Sequence, residues 1–174
     1  EIASHTFSHY YTLEPGQTPD QFEADLRANI AAARKHGITL STIIFPRNQC
    51  NPDYLAIVKR NGFKAYRGLD DCEEALKKYA KTNSILRVLR FFDSYFNLTG
   101  NNSVSPFCDE FGLTNVRGSR FLRPFQSVGF LERKKLERIK NSMEITAQLG
   151  KIYHLWWHPH NFGKYTTENL EQLE

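Results

Sequence analysis

Cysteine is scarce in this chain of 174 residues, and its three copies, Cys50, Cys72 and Cys108, are widely spaced. An odd number of cysteines without a CxxC pair indicates neither a disulfide framework nor a zinc knuckle. Because structural disulfides are typical of oxidising compartments, this cysteine usage predicts a reducing compartment, and we therefore expect a cytoplasmic location.

Long apolar runs are also missing. No stretch approaches the ~18 residues that a membrane-spanning helix needs, so we expect no membrane span. The chain has neither a signal peptide before Glu1 nor an initiator methionine. We therefore expect the sequence to begin inside a longer protein.

Charge of one sign is not concentrated anywhere in the sequence. The net charge is +4, the pI is near 9.0, and lysines and arginines are spread among acidic residues. We find no nucleic-acid-binding motif and expect no nucleic-acid partner. The densest charged stretch, residues 132–138, alternates with apolar residues and predicts the solvent-exposed face of a helix.

Helix and strand signals alternate along the first half of the chain. The stretch "TPDQ" at 18–21 is a capping box, and the apolar spacing after it predicts a helix that ends at Gly37. Buried strands are predicted for "ITLSTIIFP" and "FKAYRG", with a short helix from 51–52 between them and another helix start at 70–73. This order is typical of an α/β domain with parallel strands, and the length fits a single domain over 1–174.

The second half begins with an amphipathic helix. Residues 84–98 align four apolar side chains on one face: Ile85, Leu89, Phe92 and Phe96. We favour a helix packed on a sheet over the alternative, a helix that binds a membrane surface or a partner.

The remaining sequence predicts a loop, a helix and a strand. Residues 97–130 are rich in Asn, Ser and Gly and predict a long loop. A helix is predicted from Leu131 to Gly150, with one apolar stripe: Leu136, Ile139, Met143 and Ala147. The stretch "KIYHLWWHPHNFG" then predicts a last buried strand that ends in a polar turn.

Polar side chains follow three of the predicted strands. His5 and His9 come after the strand-like "EIA", and their four-residue spacing suits two ligands of one metal ion. Arg47 and Asn48 follow "IIFP"; arginine pairs with carboxylates in a bidentate manner, and asparagine bonds amides or hydroxyls. Because sites form at the carboxyl ends of parallel strands, we expect these groups at one edge.

The third strand end carries a second histidine cluster. His158 lies where the strand in "YHLWWHPHNF" ends, and His160 and Asn161 lie in the turn after it. We interpret His158 and His160 as functional because they add polar groups to the same predicted edge. No glycine-rich phosphate loop or nucleophile elbow offers a competing site.

Taken together, these motifs resemble those of the polysaccharide deacetylases, the NodB-type carbohydrate esterases. The segment His5-Thr6-Phe7-Ser8-His9 is similar to the family's His-Ser/Thr-x-x-His metal motif. The strand end "FPRN" and the late strand before His158 follow in the family's order. The resemblance implies part of a distorted (β/α) barrel with its first strand or strands missing, and it makes 1–174 the C-terminal portion of the domain.

The resemblance also implies roles for individual residues. In that family two histidines and an aspartate bind a divalent metal, usually zinc, while a second aspartate acts as general base and a late histidine as general acid. His5 and His9 would bind Zn²⁺ or another divalent transition metal, and Thr6 would brace the motif loop by hydrogen bonds. His158 would protonate the leaving amine, and Arg47 would tune the base. Substrate binding would fall to the three remaining polar residues: Asn48, His160 and Asn161.

The implied function is a metal-dependent hydrolase that removes acetyl groups from N- or O-acetylated sugars of a polysaccharide or glycan precursor. Two alternatives stay open: a non-catalytic carbohydrate-binding relative, and an amide or ester hydrolase that acts on a small molecule. The family's paired aspartates precede the metal histidines, upstream of Glu1. We therefore expect this chain alone to bind zinc weakly, because two imidazoles without a carboxylate make an incomplete site.

Two further departures concern the implied catalytic residues. Arg47 follows Pro46, whereas the family commonly has arginine before proline. The family's Asp-x-x-Asp-Trp segment, which orients the acid histidine, has no match, and "GSRFLRPF" occupies roughly that place.

Overall fold

The computed structural model describes residues 1–68 and 84–174, with the side chains at positions 86, 87 and 90 left out. The predicted helix start at 70–73 lies outside the described residues. What is described falls into two compact units. The first contains residues 1–68 and 106–117, and the second contains residues 84–105 and 118–174.

A four-stranded sheet forms the base of the first unit. Its strands, in spatial order, are β1 (Thr42–Ile44), β2 (Ala65–Arg67), β4 (Thr114–Asn115) and β3 (Phe107–Cys108). The first three of these run parallel, and β3 pairs antiparallel with β4. The N-terminal segment adds a further parallel bridge, Ser4 to Ile43, at the edge of β1.

The helices of the first unit begin where their local signals predict. Helix α1 (Pro19–Lys35) starts with a capping box in which Thr18 and Gln21 exchange side-chain-to-backbone hydrogen bonds of 3.2 and 3.3 Å. Two 3₁₀ turns follow, Pro46–Asn48 and Pro52–Tyr54, and the second leads into α2 (Leu55–Arg60). The predicted helices after 18 and 51 and the two predicted strands are therefore confirmed.

Aromatic side chains from α1, from the second 3₁₀ turn and from the end of β1 fill the core of this unit. The Phe22 ring of α1 stacks against Tyr54 at 5.0 Å and against Phe45, beside β1, at 6.1 Å between ring centroids. Leu26 and Ile43 are also fully buried. Burying each such side chain stabilises the fold by roughly 1.5–3 kcal/mol, so these contacts hold α1 against the sheet.

The second unit contains three helices and one pair of parallel strands. In chain order these are α3 (Ser84–Asp93), β5 (Arg120–Phe121), α4 (Gly129–Gln148), β6 (Leu155–Trp156) and α5 (Thr166–Glu171). A 3₁₀ turn, Pro159–Phe162, separates β6 from α5. Among its described residues, Leu122, Ile139 and Phe162 form a buried apolar cluster. No helix in the described ranges is long and apolar enough to cross a membrane.

The prediction of a long loop over 97–130 is wrong. Strands β3, β4 and β5 all lie within it, and Val104 forms an antiparallel bridge with Ile152. Each of these strands is only two residues long, so the hydrogen bonds to neighbouring strands define them. A window of local sequence carries no record of such distant partners.

The preferred interpretation of residues 84–98 is also wrong. Helix α3 ends at Asp93, because the Asp93 carboxylate accepts hydrogen bonds from the backbone of Leu98 and Thr99 at 3.0 and 2.9 Å. The four aligned apolar side chains are 41–69% exposed: Ile85, Leu89, Phe92 and Phe96. This apolar face therefore does not pack on a sheet in the structure.

Helix α4 buries a different face from the predicted one. Ile139 is buried, but Met143 and Ala147 of the predicted stripe are exposed. The buried positions include three from the predicted charged surface: Glu132, Lys135 and Arg138. The prediction that these three charged side chains are solvent-exposed is therefore wrong. Each of them can be buried because it pairs with a buried group of opposite charge.

Asp93 is the centre of this buried charge network. Its carboxylate lies 2.7 Å from Arg138 and 3.2 Å from Arg120, and its backbone carbonyl accepts hydrogen bonds from both guanidinium groups. Burial raises the pKa of Asp93, but the Thr99 hydrogen bond and the two arginines together hold that pKa below its usual value. Lys135 and Glu132 form a second buried pair at 2.6 Å.

We predict that Asp93→Asn lowers the free energy of unfolding of the second unit by about 3–5 kcal/mol, since removing one partner leaves buried charges uncompensated. Urea denaturation followed by circular dichroism measures this change. The matched control is Glu137→Gln, which breaks only exposed pairs with Arg133 and Lys134 and should leave the midpoint unchanged.

The wild type and Asp93→Asn also allow the pH dependence of this stabilisation to be tested. The folded-state pKa of Asp93 is below the usual 3.8. Its contribution to the free energy of unfolding is therefore fully present above about pH 3.8 and is lost as the pH falls through the folded-state pKa. The stability gap between wild type and Asp93→Asn should therefore narrow as the solution becomes strongly acidic. A gap that stays constant from about pH 7 to about pH 2 would contradict the assignment.

Candidate functional site

His5 lies immediately after the residue that joins the N-terminal segment to the sheet. The backbone of Ser4 donates to Thr42 and accepts from Ile44, each at 2.8 Å. This register brings Nδ1 of His5 to 2.7 Å from the Ile44 carbonyl oxygen. Because a carbonyl only accepts, Nδ1 carries the proton, and the neutral ring then has its lone pair on Nε2.

The structure brings the two motif histidines together. The ring centroids of His5 and His9 are 4.9 Å apart, with the ring planes at 66°. Nδ1 of His9 lies 3.1 Å from the Tyr11 hydroxyl. On both imidazoles it is therefore Nδ1 that a neighbouring protein group engages, which is the arrangement that orients histidine ligands in metal sites.

Helix α1 supports the loop between the histidines. The Asp25 carboxylate accepts hydrogen bonds from the backbone N–H groups of Phe7 and Ser8, at 2.7 and 2.9 Å, and from the Ser8 hydroxyl. One turn later, Asn29 accepts a 2.7 Å hydrogen bond from the Ser4 hydroxyl. The sequence analysis did not identify Asp25 and Asn29. Their i, i+4 spacing places both on one face of α1, close to the buried Leu26, and this pattern could have identified them.

Thr6 braces the loop as the resemblance implies. Its hydroxyl oxygen accepts a 2.7 Å hydrogen bond from the backbone of Tyr10, and its own N–H donates to the Ser4 hydroxyl at 3.1 Å. The side chain thus closes the loop from within while Asp25 holds it from α1.

Backbone strain is concentrated at this site. Among the described residues, six non-glycine positions have positive φ, and four of them belong to the two strand ends: Thr6, His9, Arg47 and Asn48, at 53–63°. The left-handed conformation costs each such residue roughly 1–3 kcal/mol, and residues held in it cluster at functional sites. The hydrogen bonds around the loop provide the constraint that such strain requires.

Tyr11 connects the histidines to the second strand end. The Arg47 guanidinium lies 4.5 Å from the centroid of the Tyr11 ring, a cation–π contact, while the same ring meets His9 edge-on at 5.2 Å. Asn48 accepts a hydrogen bond from Arg67, at the end of β2. Tyr11 was missed in the sequence because nothing local distinguishes it from the adjacent Tyr10.

The remaining predicted residues form their own cluster in the second unit. His158 follows β6, meets the Trp156 ring edge-on at 5.5 Å and stacks on His160 at 5.2 Å. Asn161 donates its backbone N–H to the His158 carbonyl at 2.9 Å and lines a cleft of about 370 Å³. The structure thus brings these three together, on a sheet of their own.

The donor set suits a metal only in part. Within 1–68 and 84–174, no group of three or more His, Cys, Asp or Glu residues is arranged to hold a metal ion. His5 and His9 nevertheless fit two ligands of zinc by residue type, by their adjacency and by the tautomer of His5. They account for two protein ligands, and a complete site needs a third.

We predict that Asp25→Ala weakens zinc binding by this chain 10- to 100-fold, the usual cost of losing a group that positions metal ligands. Calorimetry at neutral pH measures the affinity, and circular dichroism checks that α1 persists. Asp20→Asn, an exposed carboxylate on the same helix, is the control and should bind as the wild type does. Equal zinc affinity in Asp25→Ala and wild type would overturn the role given to Asp25.

Comparison with known proteins adds no relative to this picture. No protein-family model, no curated protein and no solved structure matches the chain.

Proposed function

We propose that this chain carries part of the active site of a metal-dependent hydrolase that removes acetyl groups from N- or O-acetylated sugars. The observation that carries the proposal is the His5–His9 pair, with ring centroids 4.9 Å apart, at the carboxyl edge of a parallel sheet. Its supporting contacts, from Ile44, Tyr11 and Asp25, are those that hold imidazoles in place for a ligand.

His5 and His9 would hold the metal, zinc or another divalent ion, as two of its protein ligands. When bound, such an ion polarises an acetyl carbonyl and lowers the pKa of a water molecule. The chain's own contribution is orientation: the Ile44 carbonyl keeps the His5 proton on Nδ1. Losing that tautomer would place the proton on the nitrogen that the metal needs.

Arg47 and His158 would handle charge and protons. Arg47 is positioned by the Tyr11 ring, from which it can pair with a carboxylate that acts as base. His158 is exposed between Trp156 and His160, and by the resemblance it would act as the general acid that protonates the leaving amine. Asn48, His160 and Asn161 would bind the sugar's hydroxyl and amide groups.

The parallel strands around this site also support a proposal for the fold. Three parallel strands and the parallel bridge at Ser4, with helices in the connections, support membership in a distorted (β/α) barrel. The scarcity of cysteine supports the cytoplasmic location that we propose.

Acetate release tests the proposal. We expect the protein to release acetate from N-acetylglucosamine oligomers when zinc is present. His5→Ala and His9→Ala should each abolish both zinc binding and acetate release, because each removes a ligand. His36→Ala, an exposed histidine after α1, is the matched control and should keep both. Undiminished activity after complete removal of metal would overturn the proposal.

The same assay decides a second candidate, a non-catalytic carbohydrate-binding relative. The observation that favours it is that, in the part of the chain described, His5 and His9 have no third metal-ligating residue grouped with them. It predicts glycan binding that survives chelation, together with no acetate release. Zinc-dependent release by wild type, lost in the two histidine variants, excludes this candidate.

A further inference from the structure

A cleft in the second unit is lined by residues that do not include His5 or His9. Within the second unit, residues 124–127 and the turn from Asn161 to Tyr165 line an open cleft of about 370 Å³. This volume lies within the ~300–1,000 Å³ range of small-molecule sites. The walls combine two aromatic rings with amide, hydroxyl and ammonium groups, which is the composition of a polar-ligand site.

Asn169 of α5 holds the two walls together. Its side chain is fully buried. The amide oxygen accepts a 2.6 Å hydrogen bond from the backbone of Phe125, on one wall. The amide nitrogen donates to the carbonyls of Lys164 and Tyr165, on the other wall, at 2.8 Å each. One buried side chain therefore sets the separation of the walls.

The backbone of Tyr165, one of the residues that line the cleft, has a strained conformation. It has a φ of 59°, a left-handed conformation that is a genuine outlier for a bulky residue. The Asn169 backbone also donates to its carbonyl at 2.9 Å, which helps to maintain the conformation. In this position its ring lies 5.5 Å from the Phe125 ring, at 68°. Such strain persists where the surroundings enforce it, and ligand clamps are a common location.

The lining groups indicate the class of ligand. Aromatic faces carry a negative quadrupole and attract the C–H groups of a sugar ring. Gln126, Ser127 and Asn161 offer hydrogen bonds to hydroxyl groups. Lys164, whose ammonium lies 5.0 Å from the centroid of the Tyr165 ring, is the only charged residue among the seven that line the cleft, so an anionic ligand is favoured over an amino sugar that carries a cation.

We propose that this cleft binds an acidic sugar, a hexuronate whose carboxylate pairs with Lys164 and whose ring contacts Tyr165. The choice of a sugar over another anion rests on the proposed deacetylase function, and it narrows the substrate class to glycans that contain uronic acid. The cleft lies beside the His158 cluster in sequence and shares Asn161 with it.

A matched pair of disaccharides tests this inference by calorimetry, with a metal chelator present. Cellobiuronic acid carries a carboxylate where cellobiose carries a hydroxymethyl group. We expect the wild-type chain to bind the acid about tenfold more tightly, the scale of one charge-assisted hydrogen bond. Lys164→Gln should reduce the preference to within about twofold, while Lys151→Gln, an exposed lysine of the same unit, should retain it.

Tyr165→Gly provides a variant that folds readily, because glycine adopts positive φ without strain. It should lose affinity for both disaccharides while its circular dichroism stays unchanged. Equal binding of the two disaccharides by wild type, or wild-type preference in Lys164→Gln, would overturn the proposal. Displacement of cellobiuronic acid by equimolar inorganic phosphate would overturn the sugar assignment and leave only an anion site.

The chelator separates this inference from the proposed function. Preference for cellobiuronic acid in a protein that releases no acetate would support the cleft and overturn the deacetylase. Acetate release by a protein that does not prefer cellobiuronic acid would support the deacetylase and overturn the proposal for the cleft.

Discussion

Two backbone hydrogen bonds between Ser4 and β1 determine the geometry of the candidate metal motif. They set the register in which Nδ1 of His5 reaches the Ile44 carbonyl. The loop that follows is held from α1 by Asp25, and Asn29 of the same helix accepts a hydrogen bond from the Ser4 hydroxyl. Because α1 is itself fixed by apolar contacts in the core, the separation of the two imidazoles depends on strand pairing and hydrophobic packing together.

The second unit uses buried polar side chains where the first uses aromatic packing. Asp93 holds α3, β5 and α4 together through Arg120 and Arg138, and Asn169 holds the two walls of the cleft. Such groups contribute specificity of position as well as stability, and they demand complete pairing because an uncompensated buried charge is costly. The apolar face of α3, by contrast, lies exposed.

Local signals predicted the elements that depend on neighbours in sequence. The capping box of α1 and the β-branched run of β1 are of this kind, and both were located correctly. One prediction failed where the partner is distant: Asp93 lies 45 residues from Arg138, and that pairing reverses the expected exposure of Arg138. Tyr11 was missed for the same reason, since only its contact with Arg47 identifies it.

The sequence by itself determined which candidate residues are present: a His-x-x-x-His pair, an arginine after a strand and a late histidine cluster, each at a predicted strand end. Spacing and residue type are enough for that, because short-range backbone geometry follows from local sequence. Only the tertiary structure decided which ring nitrogen of His5 carries the proton, which ring connects His9 to Arg47, and which charges of α4 are buried. Those properties depend on groups brought close by packing, and packing is set by the whole chain.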